Sequence, residues 1–274
     1  MGPGHRVGVI GSGPSGIEAT RVLTKMGFSV TCYEAGQHVA SGLNAYRHVK
    51  MFTPWHINVS EDALEDLEEA GGSVDVNQAE TPLIGDMVDQ YLRVLASHPR
   101  LAPCFSTGQT VIQVGRENAL KSDLPRMPQR ADSPFRLLIR SAAGVERMTQ
   151  VDVLIDASGI TSRPAWMGKG GIPAPGERLL RADGRVEHHL PDILGTERER
   201  FADKRTLIVG AGYSAATAAT WLSQLKVEAP ETRIDWCIRR QEGPPVRVIP
   251  NDSLPDRARM VLEANEAARE GGPI

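Results

Sequence analysis

The chain has 274 residues, enough for one large core or two modest ones, and its 41% apolar and 24% charged side chains are those of a folded globular protein rather than a disordered one. A formal charge of −3 argues against nucleic acid or an anionic membrane as the main partner, because no strongly basic face is implied; no apolar run approaches membrane-spanning length. Cys32, Cys104 and Cys237 are isolated, with no Cys-x-x-Cys, so neither a dithiol redox pair nor a structural zinc site is expected, and no metal ligands are assigned. Read as small apolar residues beside strands, the three fit a reducing cytosol. With a first strand beginning within six residues of Met1 and no signal peptide before it, a cytoplasmic location is expected.

In chain order, an apolar strand over 6–10 runs straight into GSGPSG at residues 11–16. This spacing predicts a strand, a tight turn and a helix: Gly11 for the bend and Gly13 so that backbone can approach a pyrophosphate, with Gly16 completing the fingerprint. Pro14 suits an early helical position, where its missing N–H costs nothing, and Ser15 follows it at the helix start. Apolar residues at helical spacing continue to Met26, and the N-terminal amides would face phosphate. The next strand, 28–33, ends in Glu34. A carboxylate there accepts hydrogen bonds from an adenosine ribose, which marks an unphosphorylated ribose and so FAD or NAD.

A glycine-containing loop then leads into the aromatic-rich segment HVKMFTPW, 48–55. Residues 60–70 read as a short acidic helix with Leu64 and Leu67 on one face, and a longer helix opens at Thr81-Pro82 with Leu83, Met87, Tyr91 and Val94 at core spacing. The acidic run is a solvated helix face rather than a metal cluster. Strands are expected at 103–105, 110–115 and 135–140, forming a β-meander with Pro- and charge-rich turns such as 121–133 between them. A nearly continuous apolar strand, 151–156, returns to a buried parallel sheet and ends in Asp156-Ala157-Ser158-Gly159.

After a Pro/Gly-rich crossing, a strand over 205–209 enters a second turn, GAGYSA at 210–215. Gly210 and Gly212 repeat the pattern, Ser214 lies at the start of the following helix, and Ala215 takes the place of the third glycine. The next strand, 232–238, ends in Arg239 and Arg240 instead of an acid. A guanidinium pair can stack on adenine and pair with a 2′-phosphate, favouring NADPH over NADH. The last segment, 255–269, reads as one amphipathic helix.

The two fingerprints, in this order and with DASG between them, resemble the two-dinucleotide-binding flavoproteins: NADPH-dependent flavin monooxygenases, their N-hydroxylase relatives and the thioredoxin-reductase-like oxidoreductases. The likeness covers nearly the whole chain. It implies an α/β fold with an FAD-binding Rossmann-type domain carrying a β-meander insertion (1–165), a linker (166–204) and a partial NAD(P)H-binding Rossmann-type domain (205–274). By the same resemblance Ser158 and Gly159 mark the exit from the FAD sheet. Phe52, Thr53 and Trp55 pack near the flavin, and His48 or Lys50 is the nearest candidate for tuning its charge. Of the monooxygenase linker signature Phe-x-Gly-x-x-x-His, only Gly184 and His188 remain, with Ala182 where the phenylalanine would stand.

The relatives continue through more of the second sheet and return to the FAD domain with a glycine-aspartate motif absent here. A truncated chain, a partner chain supplying the missing elements and an unusually small variant are the open readings. The implied cofactors are FAD and NADP (as NADPH), with a small-molecule substrate or electron acceptor as partner. The implied function is flavin-dependent oxidation or monooxygenation. A reductase of a non-dithiol acceptor and a non-catalytic nucleotide-binding fragment are the alternatives, and no catalytic acid or base is assigned.

Overall fold

The computed structural model describes residues 4–77, 80–120, 122–124, 126–161, 163–269 and 274; Lys121 and Pro125, in the expected 121–133 turn, lie outside them. The chain divides into two compact units. One comprises Met1–Arg47, Trp55–Gln78 and Ile84–Ser162, and the other His48–Pro54, Ala79–Leu83 and Arg163–Ile274. The stretch expected to be a linker therefore belongs to the second unit, as do two short segments from early in the chain.

In the first unit, strands β1 (Arg6–Ile10), β2 (Ser29–Tyr33) and β3 (Phe105–Ser106) are followed by β4 (Gln109–Arg116), β5 (Phe135–Ser141), β6 (Glu146–Val151) and β7 (Val153–Asp156). A parallel sheet has the order β3-β2-β1-β7, and β4-β5-β6 form an antiparallel meander. Helix Pro14–Lys25 makes the crossover from β1 to β2, as parallel pairing requires. Val7, Val9, Val30 and Cys32 form one core with Leu23 of that helix, whereas Tyr33, Leu137, Ile139 and Val151 form a second. Alternation along β1 and β2 separates the two cores.

Two strands differ from the sequence expectation. The first expected meander strand is β3, which pairs parallel with β2 through Cys32↔Phe105. The strand expected over 151–156 returns to the parallel sheet beside β1 but begins only at Val153, as β7, because Val151 ends β6, a strand not expected from the sequence, and the chain turns a corner at Asp152. That corner is pinned: the Arg6 backbone N–H donates to Asp152 Oδ2 at 2.9 Å and the Arg6 guanidinium to Oδ1 at 2.8 Å. An apolar pattern cannot reveal a bend whose cause is an ion pair 146 residues away in sequence.

Helix Glu61–Glu69 buries Ala63 and Leu67. The longer helix starts at Ile84–Asp86, passes through a π-helical stretch, Met87–Leu92, and ends in Arg93–Ala96. Of the four residues expected at core spacing it buries Met87 and Tyr91; Val94 is half-buried, and Leu83 is exposed because it lies ahead of the helix, which begins at Ile84 rather than at Thr81-Pro82.

The second unit holds β8 (Arg205–Val209) and β9 (Arg233–Cys237), paired in parallel, with helix Tyr213–Glu228 between them in sequence and helix Pro255–Ala267 after them. Ile208 and Ile234 turn one sheet face onto Ala219, Leu222 and Leu225. On the opposite face Leu207 is 62% and Val209 47% exposed. No helix among the described residues is long and apolar enough to cross a membrane.

Candidate functional site

The three glycines of the first turn do different work. Gly11 has φ +90, and a Cβ there would stand 2.6 Å from the Ala157 carbonyl oxygen. Gly16 packs so closely that a Cβ would stand 1.9 Å from the Gly11 carbonyl oxygen. The fold itself demands both. Gly13 has an ordinary φ of −72, and a Cβ there would meet no protein atom within 4 Å. It fronts open space at the start of helix Pro14–Lys25, ahead of the first intrahelical bond from Ile17 N–H to Gly13 O. The helix amides at Ser15 and Gly16 are thus available to an anion. A cradle that a Cβ would fill, with nothing in the protein to fill it, fits a pyrophosphate.

DASG lies alongside. Ala157 N–H donates to the Ile10 carbonyl at 2.9 Å, continuing the β1·β7 ladder. Asp156 Oδ1 then accepts the Ser158 N–H at 3.0 Å and its hydroxyl at 2.6 Å, and Gly159 turns with φ +67. Ser158 and Gly159 therefore stand next to the Gly11 bend, as expected for the sheet exit.

Glu34 is buried, and its carboxylate is organised by backbone. Oε2 accepts the Ser12 N–H at 3.0 Å and the Ser12 hydroxyl at 2.6 Å, and Oε1 accepts the Gly36 N–H at 2.8 Å. A carboxylate offers about four lone-pair sites, so capacity remains for a ribose hydroxyl. Ser12, fully buried, orders the Glu34 carboxylate, a contact that sequence reasoning missed because the fingerprint leaves its position unspecified. Cys32 reaches the same turn, with Sγ 3.5 Å from the Gly11 carbonyl oxygen. Burial pushes its thiol up to about 12, so it remains a protonated donor.

The second turn repeats the positive φ of the first glycine and the open space at the second, but not the close packing at the third, where it has Ala215. Gly210 has φ +114, and its N–H donates to the Cys237 carbonyl at 2.9 Å just as Gly11 N–H donates to Tyr33 at 2.8 Å. Gly212 faces open space like Gly13. Ala215 packs on the β8–β9 core, and Ser214 is exposed at the helix start. Strand β9 stops at Cys237, so the residue in register with Glu34 is Ile238, and Arg239 and Arg240 follow it, both exposed. One Arg240 nitrogen lies 3.3 Å from the Pro244 carbonyl oxygen. The Trp236 indole N–H donates to the Gly210 carbonyl at 2.7 Å, a contact invisible in the motif.

The aromatic segment is divided between the units. Phe52 and Thr53 belong to the second, where the Phe52 ring meets Tyr213 edge-on at 5.7 Å. The Arg257 guanidinium, ion-paired to Asp252 at 2.6 Å, lies 5.7 Å from the same Tyr213 ring. Trp55 is buried in the first unit, opening the short helix Trp55–Asn58. His48 Nε2 lies 3.1 Å from the Leu190 carbonyl oxygen and its ring 5.8 Å from Trp221, while Lys50 lies 3.8 Å from Asp256. His188, the remnant of the linker signature, holds the buried Glu177 carboxylate at 3.0 Å. Glu177 also accepts N–H groups of Met167 and Ala174 at 3.0 and 2.8 Å.

Asp66, Glu69 and His98 come within ligand distance of one another. Arg21 and Arg100 already supply the positive charge there, at 2.9 and 2.8 Å from Asp66 and, for Arg100, 3.0 Å from Glu69. Burial raises the Asp66 carboxyl, but hydrogen bonding to Arg21 and the charges of Lys25, Arg21 and Arg100 outweigh it and hold the group below its usual range. A cavity of about 450 Å³, lined by Arg6, Thr31, Tyr33, Arg136 and Gln150 among others, opens where β1 and β2 approach β5 and β6, on the flank of the strands rather than at the turns.

Two parallel strand pairs, each joined by a glycine turn and a crossover helix, define an α/β protein of the Rossmann-type dinucleotide class. The family model described as pyridine nucleotide-disulphide oxidoreductase matches residues 5–257, and the chain belongs to that family. No curated protein matches it. Among solved structures it is similar to the bacillithiol disulfide reductase Bdr of Bacillus cereus, with 19% identity and a TM-score of 0.65, covering 95% of this chain and 66% of that one. It is also similar to the ornithine hydroxylase PvdA of Pseudomonas aeruginosa, with 19% identity and a TM-score of 0.54, covering 86% and 54%. For the cadaverine monooxygenase DfoA of Erwinia amylovora the identity is 14% and the TM-score 0.58, covering 87% and 52%. The chain thus spans between about half and just under two thirds of the length of these structures.

Proposed function

We propose that this chain is an FAD-dependent, NAD(P)H-using oxidoreductase that places FAD on the first turn and NADPH on the second, with a monooxygenase-like outcome. The observation that carries the reading is the contrast between two turns of matching strand register. One ends its ribose side in the buried carboxylate of Glu34 and the other in Ile238 followed by two exposed arginines. A carboxylate accepts from ribose hydroxyls and repels a phosphate; guanidinium groups do the reverse.

Bound flavin would supply hydride acceptance from the nicotinamide and onward electron transfer to oxygen or another acceptor. The protein's part is to bind and orient. Gly13, Ser15 and Gly16 admit one pyrophosphate and Glu34 holds its ribose; Gly212 and Ser214 admit the other, with Arg239 and Arg240 beside its phosphate. Cadaverine monooxygenase was solved bound to FAD, which supports the same assignment here. Exposure of Leu207 and Val209 supports a further covering segment over that sheet face, from a longer protein or a partner chain.

The second reading, a reductase of a non-dithiol acceptor, is favoured by the likeness to the disulfide reductase fold together with a Cys32 thiol too buried and too weakly acidic to act as a nucleophile. The two separate on the fate of electrons. NADPH-reduced protein mixed with oxygen and candidate substrates should consume oxygen in proportion to NADPH and release little hydrogen peroxide. Slow reaction with oxygen but fast transfer to a quinone or ferredoxin would sink the monooxygenase reading in favour of the reductase.

A further inference from the structure

The two turns differ at one further place, and the difference concerns an anion. In the first, the Gly11–Ser12 peptide is oriented by two contacts: its carbonyl points at Cys32 Sγ, 3.5 Å away, and its N–H points at Glu34 Oε2, 3.0 Å away. A trans peptide sends C=O and N–H in opposite directions, so fixing one fixes the other. The second carboxylate oxygen takes the Gly36 N–H at 2.8 Å.

Register carries these positions onto the second turn. Because Val209↔Cys237 matches Ile10↔Tyr33, Cys32 corresponds to Trp236, Ser12 to Ala211, Glu34 to Ile238 and Gly36 to Arg240. Trp236 Nε1–H donates to the Gly210 carbonyl at 2.7 Å, a stronger clamp than a thiol at 3.5 Å. The Ala211 N–H is thereby aimed at the place a carboxylate holds in the first turn, where the protein now offers an isoleucine. The serine hydroxyl that would also have served a carboxylate is replaced by the methyl of Ala211. Among the described residues neither the Ala211 nor the Arg240 N–H has a hydrogen-bond partner, and both residues are exposed.

We infer that Trp236 is a positioning residue for coenzyme choice: by holding the Gly210 carbonyl inward it presents the Ala211 N–H, beside the Arg240 backbone and the Arg239 and Arg240 side chains, to the 2′-phosphate of NADPH, which takes the place of the missing carboxylate. This rests on the reading of the second turn as the NADPH site. Indole donation is needed because the carbonyl of a turn with φ +114 has no ladder partner. Losing it frees the peptide to rotate, and an N–H aimed at a phosphate is lost with it.

The test is calorimetric titration of the full chain with NADPH and with NADH, with no turnover required. Trp236→Phe keeps an aromatic ring in the core but removes the donor; NADPH affinity should fall about tenfold or more while NADH affinity stays within about twofold. Ile238→Glu restores the carboxylate and should abolish the NADPH preference, with Ile238→Gln retaining at least part of it. An unchanged preference in Trp236→Phe, whether from equal losses for both coenzymes or from no loss at all, would overturn the inference even if Ile238→Glu shifts the preference. A wild-type chain that binds NADH as tightly as NADPH refutes the coenzyme choice itself, and one that binds neither refutes the second-turn reading on which the inference stands.

Discussion

Replacing Gly13 by alanine separates what the fold needs from what the ligand needs. Its backbone has φ −72 and ψ −174, open to any residue, and the new Cβ meets nothing within 4 Å, so no strain is introduced. Alanine is a poorer N-cap than glycine by roughly 0.5–1 kcal/mol, but it removes about 0.4–1 kcal/mol of unfolded-chain entropy. The two offset, and stability should change by no more than about 0.5 kcal/mol. Flavin affinity should not survive so well. A methyl group in the pyrophosphate's path removes at least one hydrogen bond to a charged group, worth about 1.5–3 kcal/mol, or roughly a 10- to 150-fold weaker dissociation constant. Chemical denaturation of the apoprotein and quenching of FAD fluorescence on reconstitution measure the two quantities separately. Gly16→Ala is the contrasting control: with a Cβ 1.9 Å from a backbone oxygen it should fail to fold. Gly13→Ala that binds FAD with wild-type affinity would refute the assignment of this turn.

Other outcomes follow from the same geometry. Replacing Arg239 and Arg240 together by alanine should cost on the order of 1.5–3 kcal/mol of NADPH affinity and leave NADH binding nearly unchanged; equal losses would show that the arginines serve the strand end. Arg21→Met removes the most buried partner of the Asp66 carboxylate, the two side chains being 3% and 6% exposed, but leaves Arg100 and Lys25 beside it; the expected loss of stability is that of a hydrogen bond to a charged group, about 1.5–3 kcal/mol. Because Asp66 titrates below its ordinary 3.8 when folded, the stability it contributes is complete above about pH 4 and is lost as pH falls through its depressed value; wild-type and Arg21→Met stability curves should converge in acid, and a constant gap down to pH 2 would contradict this. Exposed Cys237 should react with a thiol reagent at pH 8 in the native protein, whereas Cys32, buried and with its thiol pushed up to about 12, should react only on unfolding.

What the sequence disclosed and what it withheld divide along a physical line. Glycine spacing after an apolar strand is a local constraint, so both turns, their helices and the register of Glu34 were legible from residue order. The bend at Gly11 and the open approach at Gly13 were legible as well; the packing that excludes a Cβ at Gly16, and the crowding of Gly11 by Ala157 from far away in sequence, were not. The corner at Asp152, the parallel pairing of β3 and the folding of 48–54 onto the second unit were hidden for the same reason: each depends on a long-range partner. Among site residues Ser12, Cys32 and Trp236 were missed. Each acts through a hydrogen bond to a turn carbonyl or carboxylate, at a position that the fingerprint allows to vary.

The most direct trial of the account is an anaerobic spectrum of the chain reconstituted with FAD and then mixed with NADPH or NADH. The expected result is one bound flavin per chain, retained through gel filtration, whose absorbance near 450 nm bleaches on adding one equivalent of NADPH and far more slowly with NADH. Flavin that binds but stays oxidised with both coenzymes, or a chain that holds no flavin even after a covering segment is supplied, would contradict the claim that these two turns serve one electron-transfer path.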